Sequence, residues 1–374
     1  MDKIKTGETT DLGFIRKLKE LGVDAKAEYP ASTLRRQLDE IHTMDVTFLS
    51  TNETVLKAIN ESDSHSEEAG TVEELIDAIN DKNVDRVNLT NNVELSSSLN
   101  INRDLVIDGG GNTVSSGVNA FKVKGDDVTL ILKNINIETT GSAAGVKIGD
   151  SNLGTDKVNK VVLGNDAVIN AETYGVTVFG EGSEVDVYGK INVTADTEGY
   201  AISGNGLPKF GGTTIVNVYE GAEIDATNDA YCIYQPQDGE INIYGGTLRG
   251  ASVIGIKSGK LNVYDGTLEA TGEFVDPVSG TYNGKVPTGD AIAVEVNKSY
   301  YGGKNNNNIQ VAVEGGTITS TNAYKIREVN VDKSDIGIIV SGEYSVKSTL
   351  AEGVNVYDDH EIVIENEETT NNEE

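Results

Sequence analysis

Four related segments decide the fold of this chain. They read VDVYGKI at 185–191, VNVYEGAEI at 216–224, INIYGGTL at 241–248 and LNVYDGTL at 261–268. Each segment alternates apolar and polar residues, reaches a turn that contains glycine, and then resumes the alternation. A period of two is typical of β-strands, because successive side chains of a strand point to opposite faces. The repeat therefore predicts short strands joined by tight turns.

Further copies extend the repeat in both directions. Looser versions of the same segment are VVLGNDAVI at 161–169, VAVEGGTI at 311–318 and IIVSGEYSV at 338–346. A second unit consists of an aromatic or aliphatic residue, any residue, and then valine or isoleucine. Its copies are Phe121-x-Val123, Ala144-x-Val146, Tyr174-x-Val176, Tyr200-x-Ile202, Tyr231-x-Ile233, Ile254-x-Ile256, Ile292-x-Val294 and Tyr324-x-Ile326. Successive copies lie between 23 and 38 residues apart.

Units of this length bury their apolar face only by stacking on the next unit. We therefore predict a mainly β protein, a right-handed single-stranded parallel β-helix of about eight to nine coils preceded by a small α-helical N-terminal region. Insertions at the corners of the coils explain the variable spacing. The longest, at 271–289 and 299–308, are rich in Gly, Asn and Pro, as outer loops are.

The segment that leads into the coils carries a resemblance to a known family. Residues 84–114 contain a turn formed by Ile107, Asp108, Gly109, Gly111, Thr113 and Val114. Together with the coils, this turn resembles the pectate-lyase-like right-handed β-helix proteins over residues 84–346. The resemblance implies the fold. It leaves the activity open, because this fold hosts lyases, hydrolases, adhesins and phage fibres.

The N-terminal residues differ in character from the coils. Helices are predicted at 11–22, 33–43 and 51–61, and the apolar faces of the first two consist of Phe14, Leu18, Leu21, Leu34, Leu38 and Ile41. The helix–extended loop–helix order of 18–41 resembles the small HeH/LEM-like modules, which occur in bacteriophage particle proteins. A helical hairpin with its own small core is the alternative.

We divide the chain into four parts. Residues 1–62 form a helical docking or assembly region, 63–70 an acidic linker, 71–357 the β-helix with its capping helix, and 358–374 an acidic tail. Thr71 and Glu74 have the spacing of a capping box ahead of an apolar run, which predicts where the capping helix begins.

The charge of the chain excludes several classes of partner. Sixty acidic and 30 basic residues give a net charge of −30, whereas residues 1–43 hold eight of each. An acidic body disfavours binding to nucleic acid and to anionic membranes, because both need clusters of Lys and Arg. The N-terminus has no apolar signal segment, and the single Cys232 excludes an intrachain disulfide.

The coils offer few residues for catalysis. The family resemblance implies calcium-binding carboxylates and a catalytic Arg or Lys on one face, but the only arginines in residues 120–346 are Arg249 and Arg327. No acidic ladder is predicted in line with Arg249, and the adjacent Asp126 and Asp127 fit a turn. We predict no enzyme activity and no cofactor. We also predict no metal site, since the histidines lack the spacing of metal ligands. They are His42, His65 and His360.

Two rows of residues are candidates for binding. The alternation within the four segments puts one polar residue and one tyrosine of each coil on the same outer face. The rows are Asp186, Asn217, Asn242 and Asn262, and Tyr188, Tyr219, Tyr244 and Tyr264. They either stabilise their own stack, form a platform for a sugar, or form a contact between subunits.

These features together lead to two hypotheses of function. The first is a structural virion protein of a tailed bacteriophage, a head fibre, capsid decoration or tail appendage assembled in the host cytoplasm. It would dock on capsid or other virion proteins through its N-terminal region, contact host-surface polysaccharide through its coils and, as the resemblance implies, form a homotrimer. The alternative is an exported β-helix adhesin or a polysaccharide-acting lyase or hydrolase.

Overall fold

The computed structural model describes residues 65–149, 156–206, 212–276, 286–296, 309–330, 338–342 and 346–357. The three predicted N-terminal helices, with their six apolar residues proposed for docking, lie outside the described residues, and so does the acidic tail at 358–374. The contacts divide the chain into two compact units, residues 1–67 with 82–86, and residues 68–81 with 87–374.

The linker prediction is wrong for residues 65–69. They form strand β1 (His65–Ala69), in which every residue is exposed except Ala69. The sequence HSEEA correctly indicates contact with solvent, but an exposed strand at the edge of a sheet has the same polar composition as a linker. Strand β2 (Val84–Leu89) follows the capping helix and buries Val84, Val87 and Leu89.

The capping helix of the larger unit begins where the sequence predicts. Helix α1 (Val72–Asn80) has Thr71 as its N-cap, and the capping box with Glu74 is formed in both directions. The Glu74 carboxylate accepts hydrogen bonds from the backbone of Gly70 and Thr71 at 2.8 and 3.0 Å, which lowers its pKa. The helix buries Leu75, Ala78 and Ile79. Its last carbonyls accept hydrogen bonds from the Arg103 guanidinium at 3.1 Å.

The remaining strands form three parallel rows. The first row contains β5 (Leu105–Asp108), β8 (Thr129–Lys133), β11 (Lys160–Leu163), β14 (Glu184–Val187), β17 (Thr214–Val218), β19 (Gly239–Ile243), β21 (Lys260–Val263), β24 (Ile309–Val313) and β27 (Ile338–Gly342). The second contains β3 (Val93–Leu95), β6 (Thr113–Ser116), β9 (Asn136–Thr139), β12 (Val168–Ala171), β15 (Lys190–Val193), β22 (Thr267–Ala270) and β25 (Thr317–Ser320).

The third row completes each coil. It contains β4 (Leu99–Ile101), β7 (Phe121–Val123), β10 (Ala144–Ile148), β13 (Tyr174–Val178), β16 (Gly199–Ser203), β23 (Ile292–Glu295) and β26 (Ile326–Val329). Two long strands run through the second and third rows without a break, β18 (Glu223–Gln235) and β20 (Thr247–Ile256). In the described residues the three-row coil repeats eight times from β5 to β26, which is the predicted right-handed parallel β-helix.

Equivalent apolar residues stack along the inside of the coils. In the first row, Val161, Val185, Val216, Ile241, Leu261 and Val311 follow one another in register, and each is at most 1% exposed. Every coil thereby covers the apolar face of its neighbour, which is the main source of stability in a stacked repeat. The predicted Gly-rich turn at 107–114 is present, with positive φ at Gly110 and Gly111.

Between three pairs of successive coils, the strand register of the second repeating unit differs from the register obtained by superimposing its motif copies. The structure pairs Val146 with Phe121, Ile254 with Ile233, and Ile326 with Ile292. The alignment of the motifs instead matched Val146 with Val123, Ile256 with Ile233, and Ile326 with Val294. A shift of two residues leaves every side chain on the same face of the strand, so the hydrophobic pattern alone does not detect it.

The C-terminal end of the described chain departs from the parallel pattern. Strand β29 (Val354–Tyr357) pairs antiparallel with β26, and β28 (Val346–Ala351) pairs antiparallel with β29. A positive φ of 83° at Gly353 permits the tight turn between β28 and β29. The hairpin covers the edge of the last third-row strand, so the predicted β-helix domain ends in an antiparallel cap.

Candidate functional site

The four predicted tyrosines form a continuous stack along the first row. Their ring centroids are 4.2 Å apart between Tyr188 and Tyr219, 5.2 Å between Tyr219 and Tyr244, and 5.1 Å between Tyr244 and Tyr264. The interplanar angles of these pairs are 5°, 19° and 3°. Each tyrosine directly follows an inward valine or isoleucine of its strand, so the parallel register brings the rings face to face.

The stack changes what the tyrosines offer to a ligand. Both faces of Tyr219 and Tyr244 are covered by neighbouring rings, and a sugar needs an uncovered ring face to stack on it. Tyr188 is only 4% exposed, and burial raises the pKa of the Tyr188 and Tyr219 hydroxyls well above the ordinary value. The two inner tyrosines therefore present ring edges to a ligand, with their ring faces covered.

The polar row forms a hydrogen-bonded ladder beside the rings. The Asn262 amide donates to Asn242 at 2.8 Å, Asn242 donates to Asn217 at 3.0 Å, and Asn217 donates to the Asp186 carboxylate at 2.8 Å. All donors point in the same direction along the coils. A chain of amides with one direction needs a final group that accepts, and the Asp186 carboxylate meets this requirement.

The polar row is enclosed to a degree that the pattern did not predict. Asp186 and Asn217 are each 5% exposed and Asn242 is 7% exposed, whereas Asn262 is partly exposed. They lie on the side of the strands opposite to the inward Val185 and Val187, as the alternation requires. Burial is tolerated because each amide is paired with the next. The described hydrogen bonds of this row therefore join successive coils and stabilise their stacking.

A charged cluster terminates the ladder. The Lys160 ammonium lies 2.6 Å from Asp186 and 2.9 Å from Glu184, whose carboxylate also accepts from Asn217 at 2.9 Å. Burial opposes the charge of Lys160, but the two carboxylates outweigh this effect and raise its pKa. Burial and the nearby Asp186 raise the pKa of Glu184 to about 8. One cation between two acids thus leaves Glu184 as the group that takes up a proton.

The residues considered for catalysis have structural partners. The register places one acidic residue on either side of Arg249, Asp225 and Glu269, and the row continues to Asn192 and Thr319. The Arg249 side chain is half exposed and lies 3.3 Å from the Glu269 carboxylate. Asp127 occupies the left-handed region with a φ of 58°, and Asp126 accepts a hydrogen bond from the backbone of Lys157 at 3.0 Å. Both aspartates stabilise a turn.

Sequence reasoning missed a buried ion pair between Arg327 and Asp290. Arg327 Nη2 and Nε lie 2.6 and 2.9 Å from one oxygen of Asp290, and the two side chains are 1% and 0% exposed. Asp290 directly follows the 271–289 insertion, which carries no strand pattern. The available signal was Arg327 itself, one of only two arginines in residues 120–346.

The same arginine holds the base of the insertion against the coils. Arg327 Nη2 donates to the Val275 carbonyl at 2.8 Å, and the guanidinium lies 4.7 Å from the centre of the Phe274 ring. On the returning side of the insertion, the Tyr231 hydroxyl donates to the Val286 carbonyl at 3.3 Å. Both sides of the insertion are therefore anchored to the β-helix.

The histidines and the cysteine show no arrangement for catalysis in the described residues. His65 lies in β1, and His42 and His360 lie outside the described part. Cys232 is fully buried, and burial raises its pKa. Within the described ranges, no three His, Cys, Asp or Glu side chains are grouped so that they could hold a metal ion. In the same ranges, no helix has the length and apolar character needed to span a membrane.

The first coils are similar in sequence to a known protein family. Residues 66–199 match the family described as "Putative pectate lyase-like adhesive domain". The expected likeness to a pectate-lyase-like parallel β-helix is confirmed by this match and by the three rows of parallel strands. No curated protein and no solved structure matches the chain. The match supports an adhesin-like β-helix protein.

Proposed function

We propose that this adhesin-like β-helix protein attaches to a surface glycan without chemically altering it. The observation that carries the proposal is the match of residues 66–199, which form the first coils, to an adhesive domain. A stacked β-helix suits this task, because its outer surface is long, rigid and already ordered before the ligand arrives.

The contacts of the basic residues support a binding role over catalysis. Arg327 is buried against Asp290, Arg249 pairs with Glu269, and Lys160 is enclosed by two carboxylates. A lyase needs a base that can reach its substrate, and Arg327 and Lys160 are held in ion pairs between the coils.

An absorbance assay for unsaturated sugar products, with calcium present, tests this part of the proposal. We expect no turnover of uronate-containing or neutral polysaccharides. Turnover that is lost in Arg249→Ala and retained in the charge-matched control Lys133→Gln would identify an enzyme and overturn the proposal.

For the biological setting, the proposal is a tailed bacteriophage, with the protein as a head fibre, capsid decoration or tail appendage. The charge-balanced N-terminal residues, set against an acidic body, support separate docking and projecting regions. Residues 1–62 would dock on capsid or other virion proteins, and three copies would assemble into a homotrimer. An exported adhesin on a cell surface is the alternative setting, and the family match favours attachment in either one.

Peptide mass spectrometry distinguishes the two settings. Phage particles from the source culture are purified on a density gradient and compared with the cell-envelope and soluble fractions. Enrichment in the particle band at a constant ratio to the major capsid protein is the expected result. Recovery from the envelope, with none in the particle band, would reject the virion setting and support the exported adhesin.

The tyrosine and asparagine rows are a proposed contact for glycan or for a second subunit. Because the inner ring faces are covered, such a contact would use ring edges and the exposed end of the ladder at Tyr264 and Asn262. Binding to a glycan array that survives Tyr219→Ala together with Tyr244→Ala would reject these rows as the glycan site.

A further inference from the structure

A groove on the first coils has a different chemistry from the tyrosine face. It has a volume of about 460 Å³ and crosses three successive turns between the second and third rows, at 96–98, 117–119 and 142–143. Its polar lining residues are Ser96, Ser97, Ser98, Asn119, Lys122 and Ser142. No aspartate or glutamate is among its lining residues, although the protein has a net charge of −30.

The walls of the groove are held in place before a ligand arrives. Ser116 Oγ donates to the Val118 carbonyl at 2.6 Å and accepts from the Val118 backbone at 3.1 Å. Asn119 Oδ1 accepts from the Ala144 backbone at 2.8 Å, which fixes this side chain to the next coil. Oδ1 is the accepting atom, so the donor that Asn119 offers to a ligand is its Nδ2 group. A prearranged site spends less free energy on ordering when it binds.

Lys122 supplies a positive charge at this position. It lies between Phe121 and Val123, which are both fully buried, so its side chain is on the outer side of β7. The parallel register aligns it with Lys147 of the next coil, whose ammonium lies 5.4 Å from the centre of the Phe179 ring. Two cations in neighbouring coils create a local attraction for anions on an acidic molecule.

We infer that this groove binds a polysaccharide that carries anionic groups. Lys122 contacts the anion, and Asn119 and the serine hydroxyls hydrogen-bond to sugar hydroxyls. Successive turns are about 4.8 Å apart along the coils, so similar donors recur along an extended polymer. This inference rests on the proposed adhesive function and names the surface and the ligand class. The groove lies within the residues that match the adhesive domain.

The test measures binding of the full-length protein to three soluble polymers by biolayer interferometry. Alginate carries carboxylates, dextran sulfate carries sulfate esters, and dextran is neutral. We expect binding to at least one anionic polymer and none to dextran. Lys122→Gln should weaken this binding about tenfold, because it removes a hydrogen bond to a charged group. Asn119→Ala should weaken it less.

Matched variants separate the groove from general charge effects. Lys133→Gln removes the same charge from the first-row strand β8, and we expect it to bind like the wild type. Equal losses in Lys122→Gln and Lys133→Gln would overturn the inference, and so would failure of the wild type to bind either anionic polymer. Attachment to cells or particles of the source that is unaffected by Lys122→Gln would retain the adhesive function and reject this groove. Circular dichroism of each variant checks that the fold is intact.

Discussion

The amide ladder and the Arg327–Asp290 pair satisfy buried polar groups in opposite ways. In the ladder, each coil contributes one side chain that is paired by the next coil, from Asn262 to Asp186. At the insertion, Arg327 pairs one oxygen of a buried carboxylate and a backbone carbonyl, and the other carboxylate oxygen accepts from the Tyr324 backbone. Repetition distributes the stabilisation over several coils, whereas the insertion concentrates it in a single residue.

The largest effect should come from removing the concentrated contact. Arg327→Met keeps much of the side-chain volume but leaves the fully buried Asp290 without its cation. We expect a loss of about 3–5 kcal/mol in the free energy of unfolding. Urea denaturation followed by circular dichroism measures it. The double variant Arg327→Met with Asp290→Leu should recover part of the loss, because the unpaired charge is gone. A loss below about 1 kcal/mol in the single variant would contradict the role assigned to Arg327.

The charged end of the ladder should make stability depend on pH. Glu184 has a folded pKa of about 8, above its ordinary value of 4.5, so the folded state holds a proton that the unfolded state releases in this interval. Stability contributed by this group therefore falls as the pH rises from 5 to 8. Glu184→Gln removes this dependence, and its stability relative to wild type should rise by about 3–4 kcal/mol over that range.

Urea titrations at pH 5, 6.5 and 8 measure the difference. Glu240→Gln changes the same charge at a more exposed position in the same row and serves as the control. A constant difference between Glu184→Gln and wild type at all three pH values would refute the buried, protonated Glu184.

A break within the ladder should cost less than the loss of Arg327. Asn217→Ala leaves the amide of Asn242 without its acceptor and removes one donor from Asp186. We expect a loss of about 1–2 kcal/mol in urea denaturation. Asn262→Ala, at the partly exposed end, breaks one hydrogen bond and should cost about half as much. Equal losses in the two variants would show that the stabilisation by an asparagine does not depend on its position along the ladder.

The smallest effect is expected at Arg249. Its contact with Glu269 joins two side chains that are 50% and 37% exposed, and solvent screens such pairs. Arg249→Gln should change the free energy of unfolding by less than about 0.5 kcal/mol. Thermal unfolding in low and high salt measures this. A larger, salt-dependent loss would place Arg249 with Arg327 as a principal stabilising residue.

Much of the fold could be predicted from the chain alone. Alternation of apolar and polar residues, with glycine-containing turns at irregular spacing, predicts stacked coils with insertions at their corners. The capping box at Thr71 and Glu74 predicts the start of α1, and the spacing of the four tyrosines predicts that they stack. These features depend on local spacing, which a sequence displays directly.

Other features were decided only by the tertiary structure. Strand register at Phe121 and Val146, the burial of Asp186, and the pairing of Arg327 with Asp290 each depend on which residues meet across coils. A pattern of period two is unchanged by a shift of two residues, so it determines the face of a side chain but not its partner. The groove at Lys122 likewise forms from three turns that are distant in sequence. The sequence by itself determined that coils stack, and the three-dimensional packing decided which polar atoms lie together.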